Sequence, residues 1–139
     1  MKKTFFHNDG LVLLAVFILS RILVAFVPID MDQTALYRYW QYLDVITLKE
    51  HLLQGIWYDH TQPPMFNLFL GIVLKVAGSA APVAFQVIFK IFTLLNAWLL
   101  LGILKKVTRH PYLPLLLTLV YLLSPATIIF ENELFYTSF

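Results

Sequence analysis

Apolar runs of nearly membrane-spanning length recur along the chain, and they limit its fold more than any other feature. They cover residues 11–27, 64–77, 82–104 and 113–130, with short polar or basic stretches between them. Repeated runs of this kind read as helices of a polytopic membrane protein. Composition agrees: of 139 residues, 60% are hydrophobic and 13% charged, against about 45–50% and 25% in soluble domains. The expected fold class is therefore all-α, with about three spanning helices plus external amphipathic or juxtamembrane helices. The net charge of +2 comes without a basic stripe, which argues against a nucleic-acid partner. Cysteine is absent, so disulfides and thiolate metal sites are excluded. No repeat, low-complexity tract or Gly/Ser linker divides the sequence, and residues 1–139 read as a single module.

The first run follows Lys2, Lys3 and His7, the outline of a signal peptide. Arg21 interrupts it and no small-residue cleavage motif follows, so it reads as an uncleaved helix. Residues 82–104 start with Pro82, a residue suited to a first helical turn. At ~1.5 Å per residue this segment reaches roughly 34 Å, enough to span. The last run, 113–130, is expected to kink at Pro125.

Residues 64–77 are different, because about 14 residues give only ~21 Å of helix against a ~30 Å hydrocarbon core. Positive charge chooses between the two topologies. If this run crossed, the basic cluster Lys105, Lys106, Arg109 and His110 would lie outside. If it does not cross, both this cluster and the N-terminal lysines lie inside, as the positive-inside rule requires. The expected spans are thus 11–27, 82–104 and 113–130. The N-terminus is cytoplasmic, and 28–81 forms an external loop with a short non-spanning helix at 64–77. The expected location is the bacterial inner (cell) membrane.

The external segment is too long to be a mere connection, and loops of that length usually carry function. Leu36, Tyr39, Trp40, Leu43 and Ile46 recur at spacings of three and four. They predict one amphipathic helix rich in interfacial aromatics. Asp32 or Asp30 stands where its N-cap would be. In the short run, Asn67, Gly71 and Lys75 form a polar stripe at spacing four that can face protein or water.

Two cations fall inside expected spans, Arg21 about seven and Lys90 about eight residues from the outer end, or ~10–12 Å deep. Lys90 shares a stripe with Gln86 and Thr93. Snorkelling to the interface is the simple account of each cation. A charge within a span otherwise faces a cavity or a partner. Asp30 and Asp32 follow the first span, and Glu131 and Glu133 follow the last. Capping or solvated loop accounts for these carboxylates on their own. Together, carboxylates outside and cations just inside the outer leaflet suit a lipid-phosphate substrate. Cations would hold the phosphate, and a carboxylate would act as general base toward an acceptor. A metal held by Asp59, His60 and distant carboxylates has no local spacing in its favour; a divalent-metal requirement stays open.

A span containing Arg21, the acidic pair Asp30-Met-Asp32, an aromatic helix, His60-Thr-Gln62-Pro63-Pro64 with a short apolar helix, and a long span ending in Lys105-Lys106 follow in that order. Together they resemble the N-terminal part of a C-superfamily membrane glycosyltransferase. The resemblance is greatest to family 39, the dolichyl-phosphate-mannose-dependent protein mannosyltransferases and their bacterial aminoarabinose-transferase relatives. It covers essentially the whole chain. It implies a polyprenyl-phosphate-linked sugar as donor and a lipid, glycan or protein acceptor on the external face. It also implies an acidic catalytic base in the first external loop, Asp32 or Asp30, with Asp32 favoured. His60, Gln62, Arg21, Lys90, Glu131 and Glu133 are the expected substrate-binding residues. Such enzymes have roughly ten or more spans, so the chain is expected to be a truncated piece with no activity alone. The competing expectation is a non-enzymatic membrane subunit or transporter component whose Arg21 and Lys90 pair with a partner helix.

Overall fold

The computed structural model describes residues 3–38, 42–59 and 64–134, and the regular elements among these residues are all helices, without a strand. They form two compact units, Met1–Asp30 with Phe89–Glu131, and Met31–Ile88 with Asn132–Phe139.

The first unit contains α1 (Lys3–Val24), most of α6 (Ala81–Val107), α7 (Leu113–Leu123) and α8 (Pro125–Phe130). Its core is Leu13 of α1, Ala97 and Leu101 of α6 and Leu122 of α7. Ala97 and Leu101 stand four apart, hence on one face of α6. Most other large side chains here, such as Leu19, Leu23, Leu99 and Val120, are exposed, the pattern of helices with an apolar surround. At one end Lys105 of α6 forms an ion pair with Asp9 of α1 at 2.5 Å. α1 stops at Val24, three residues before the expected end. Ala25, Phe26 and Val27 continue as turns whose amides reach back to Arg21, Leu23 and Val24. Pro28 explains the stop: it has no N–H, and it disfavours helical geometry at the residue before it.

Within Pro64–Val107 the structure has one helix long and apolar enough to cross a membrane. α6 supplies the length, with 27 residues, about 40 Å. It extends past the expected end to include Lys105 and Lys106 in its last turn, where cations complement the helix dipole. The expected kink at Pro125 is instead a break between α7 and α8. Ser124 is extended (φ −64°, ψ 138°), as the residue before proline tends to be. Its Oγ accepts the Thr127 N–H at 3.2 Å and so caps α8.

The second unit contains α2 (Thr34–Arg38), α3 (Val45–Glu50), α4 (Leu52–Tyr58), α5 (Pro64–Ala77), a 3-10 turn at Gly78–Ala80 and the first turns of α6. The single amphipathic helix expected after Asp32 is not formed. Asp44, which falls within the stretch Leu36 to Ile46, is the N-cap of α3 and accepts the Thr47 N–H (3.0 Å) and Oγ–H (2.5 Å). A residue that caps one helix cannot lie inside another. Accordingly Leu36 is buried while Ile46 is exposed; Tyr39 and Trp40 lie outside the described residues. α5 has the expected bounds. Of its polar stripe, Asn67 and Gly71 are buried and Lys75 is exposed. The stripe faces protein: Asn67 Oδ1 accepts the Leu43 N–H at 3.1 Å, and Leu52 of α4 packs onto Gly71. A Cβ at Gly71 would come within 2.2 Å of Leu52 Cδ1 and 3.0 Å of its Cγ. Gly78 has φ 55°, a left-handed conformation that lets the chain turn from α5 into α6.

The close packing at Gly71 gives a prediction paired with an open glycine elsewhere. Gly71→Ala lowers stability by about 1–3 kcal/mol through overpacking. Gly102→Ala in α6, where a Cβ meets nothing within 4 Å, is neutral or stabilising by up to about 1 kcal/mol. Thermal unfolding of the detergent-purified protein reads both.

Candidate functional site

In the first unit the polar residues gather around Arg21, in the last turn of α1. Nε donates to Glu131 Oε2 at 2.8 Å and Nη2 to Oε1, a bidentate pair. Nη1 donates to Ser20 Oγ (3.0 Å) and to the Leu122 carbonyl (3.1 Å). The guanidinium lies 4.9 Å from the Phe17 ring centroid. The Leu122 carbonyl is available because the helix breaks at Ser124. In an unbroken helix it would accept from residue 126. Pro125 has no N–H for the Tyr121 carbonyl, which takes the Thr127 hydroxyl at 2.8 Å instead. Glu131 is the C-cap of α8. The side chains of Arg21 and Glu131 are only 8% and 1% exposed, so each charge depends on the other for its solvation.

In the second unit Asp32 is held by its backbone. Its N–H donates to the Asn132 carbonyl (2.7 Å), and its carbonyl accepts the Leu134 N–H (3.0 Å). This is an isolated parallel bridge to Glu133. Asn132 and Leu134 are buried, and Asn132 Oδ1 accepts from Gln86 Nε2 at 2.9 Å, so the outer half of the bridge has its own support. The Asp32 side chain is exposed. Its Oδ1 accepts the Thr34 N–H at 2.8 Å, just before α2. Hydrogen bonds from the Thr34 side chain and backbone, with a smaller contribution from the charge of Arg38, hold the carboxyl below its ordinary range. It is therefore charged at neutral pH. Its share of stability is present above the unfolded value and is lost as pH falls through the lower folded one. Asn67 Nδ2 donates to Asp59 Oδ2 at 2.9 Å, which ties the residue preceding the His60–Pro63 segment to α5.

Among the expected site residues, then, Arg21 meets Glu131, and Asp32 pairs with Glu133 through the backbone. Asp30 is exposed, and Lys90 is half-buried with no hydrogen bond or ion pair among the described residues. His60 and Gln62 lie outside the described residues. No group of three or more His, Asp or Glu gathers among the described residues. Sequence reasoning passed over Asn132, between the two glutamates it weighed, and also Ser20 and the Leu122 carbonyl. The Ser124-Pro125 step was the available signal for that carbonyl, because a proline inside an apolar run frees acceptors one turn earlier.

Removing one partner of the buried pair is expected to be severe. Glu131→Ala, which strands Arg21, costs about 3–5 kcal/mol, whereas the double variant Arg21→Met/Glu131→Leu returns to within about 1 kcal/mol of wild type. Thermal unfolding of the single and double variants against wild type measures both.

Comparison of the chain with protein-family models, with curated proteins and with solved structures finds no match.

Proposed function

We propose that the chain is the N-terminal portion of an integral-membrane glycosyltransferase that transfers a sugar from a polyprenyl-phosphate donor to an acceptor on the external face. In this reading α1, α6 and the α7–α8 pair each cross the membrane, and α5 does not. The lengths support it: α1 has 22 residues, about 33 Å, and α5 has 14, about 21 Å, against a core of ~30 Å.

The observation that carries the reading is the state of Asp32. A general base must be ionised, reachable and fixed in position. Asp32 has an exposed, charged carboxylate on a backbone clamped on both sides by Asn132 and Leu134. Asp30 is exposed too, but no such clamp holds it among the described residues. The buried pair refines the roles of the cations. Arg21 is already neutralised by Glu131, so these two serve α1 and α8 as mutual counter-ions. Lys90 is the cation left for the donor phosphate.

The alternative, a non-enzymatic subunit that pairs with a partner helix, loses Arg21 for the same reason and rests on Lys90 alone. The discriminating assay measures sugar transfer from a polyprenyl-phosphate donor in membranes containing the intact gene product. Asp32→Asn is expected to lose at least about 100-fold in rate, and Asp30→Asn to keep most of it. Full activity in both variants rejects the base assignment. Absence of transfer by the wild-type protein favours the subunit reading.

A further inference from the structure

The second unit has a cleft that the proposed reaction does not use. Its volume is about 530 Å³, and it lies between α2 and the start of α3, within the usual range of small-ligand sites, about 300–1,000 Å³. Buried Leu36 and Tyr42 line it. Tyr42 is fixed by its ring contact with Phe66 of α5, at 5.4 Å between centroids. Exposed Tyr37 and Ile46 line it as well.

Two opposite charges also line this cleft, Arg38 and Asp44. Arg38 is exposed and makes no hydrogen bond or ion pair among the described residues. Asp44 is held ionised by the hydrogen bonds from Thr47 that cap α3. Those bonds use one acceptor site on each carboxylate oxygen; a carboxylate offers about four. A purely anionic ligand would satisfy Arg38 and be repelled by Asp44. A purely cationic one would meet the reverse. The complement of an apolar, tyrosine-lined cleft bearing one guanidinium and one carboxylate is a zwitterion with a short apolar stem.

We propose that this cleft binds a phosphate ester carrying a primary ammonium, the chemistry of an ethanolamine phospholipid headgroup. Arg38 engages the phosphate, which guanidinium recognises well, and Asp44 engages the ammonium. Tyr37 and Tyr42 enclose the stem, as tyrosines do where one end of a ligand is apolar and the other wet. The inference uses the membrane placement proposed above but not glycosyl transfer, and its test is independent of any transferase assay.

The full chain, purified in detergent, is titrated calorimetrically with three probes: short-chain phosphatidylethanolamine, short-chain phosphatidylglycerol and soluble O-phosphoethanolamine. Wild type is expected to bind the ethanolamine lipid saturably, at one per chain and at least tenfold more tightly than the glycerol lipid. Arg38→Gln weakens both lipids at least tenfold. Asp44→Asn retains the α3 cap, since asparagine caps as well as aspartate. It removes only the preference for ethanolamine, with helix content by circular dichroism unchanged. Binding of O-phosphoethanolamine with the same response to both variants supports the site and names the free headgroup as sufficient. Failure of this soluble probe while the lipid still responds to both variants supports it and shows that the stem is required. Equal binding of the two lipids by wild type, indifference to both substitutions, or no saturable binding overturns the proposal.

Discussion

A guanidinium with only 8% of its side chain exposed must be given its solvation by the protein, and Glu131 does this for Arg21. Much of the first unit follows from that requirement. The carboxylate belongs to a residue 110 positions later, so the end of α8 must come to the end of α1. The remaining donors of Arg21 also need acceptors. One comes from Ser20, the other from a carbonyl that an unbroken helix would have used. The break at Ser124-Pro125 is thus part of how the charge is accommodated. Proline removes a donor, serine caps the restarted helix, and the freed Leu122 oxygen turns to Arg21. The apolar core of Leu13, Ala97, Leu101 and Leu122 packs α1, α6 and α7 together with no directional demand of its own.

The second unit uses polar groups differently, to set the positions of short segments that could not fold alone. α2, α3 and α4 have five, six and seven residues, too few for helices that stand unaided. Asp44 starts α3, Asn67 gathers the backbone of Leu43 and the carboxylate of Asp59, and Leu52 fills the space left by Gly71. The bridge at Asp32 fixes an exposed carboxylate without burying it. An apolar packing contact could not do that, because it would cover the group it held. Under the proposed function this is the main property of the site: a charged, accessible base on a backbone that has little freedom to move.

Long periodic signals were legible in the sequence, and pairings between distant residues were not. Helix α5 was readable because Pro63-Pro64 and Gly78 punctuate a predominantly apolar run with one polar stripe. Helix α6 was readable because a predominantly apolar run over 82–104 and a following basic cluster leave little choice. The aromatic segment after Asp32 misled because its three-and-four spacing is real but local. Nothing in periodicity shows that Asp44 caps a new helix at the middle of the pattern; only the competition of its side chain for backbone N–H groups does. Arg21 was read as lying inside the first span and Glu131 as lying just outside the last, and each was assigned to a ligand. Complementary charges near one boundary on different helices are equally well explained by one another. The pairing of Asp9 with Lys105, which joins α1 to α6, is likewise one that no periodicity announces.

The central claim is that α5 stays on one side of the membrane, so that Asp32 and the segment up to α6 face outward while the basic cluster after α6 faces inward. Because the chain contains no cysteine, its topology can be read from single introduced thiols. Ser79, in the turn between α5 and α6, and Arg109, after α6, are both exposed. Labelling intact cells with a membrane-impermeant maleimide is expected to modify Ser79→Cys at once, and Arg109→Cys only after the membrane is permeabilised. The reverse pattern, with Arg109→Cys labelled from outside and Ser79→Cys protected, would show that α5 crosses and would contradict the account.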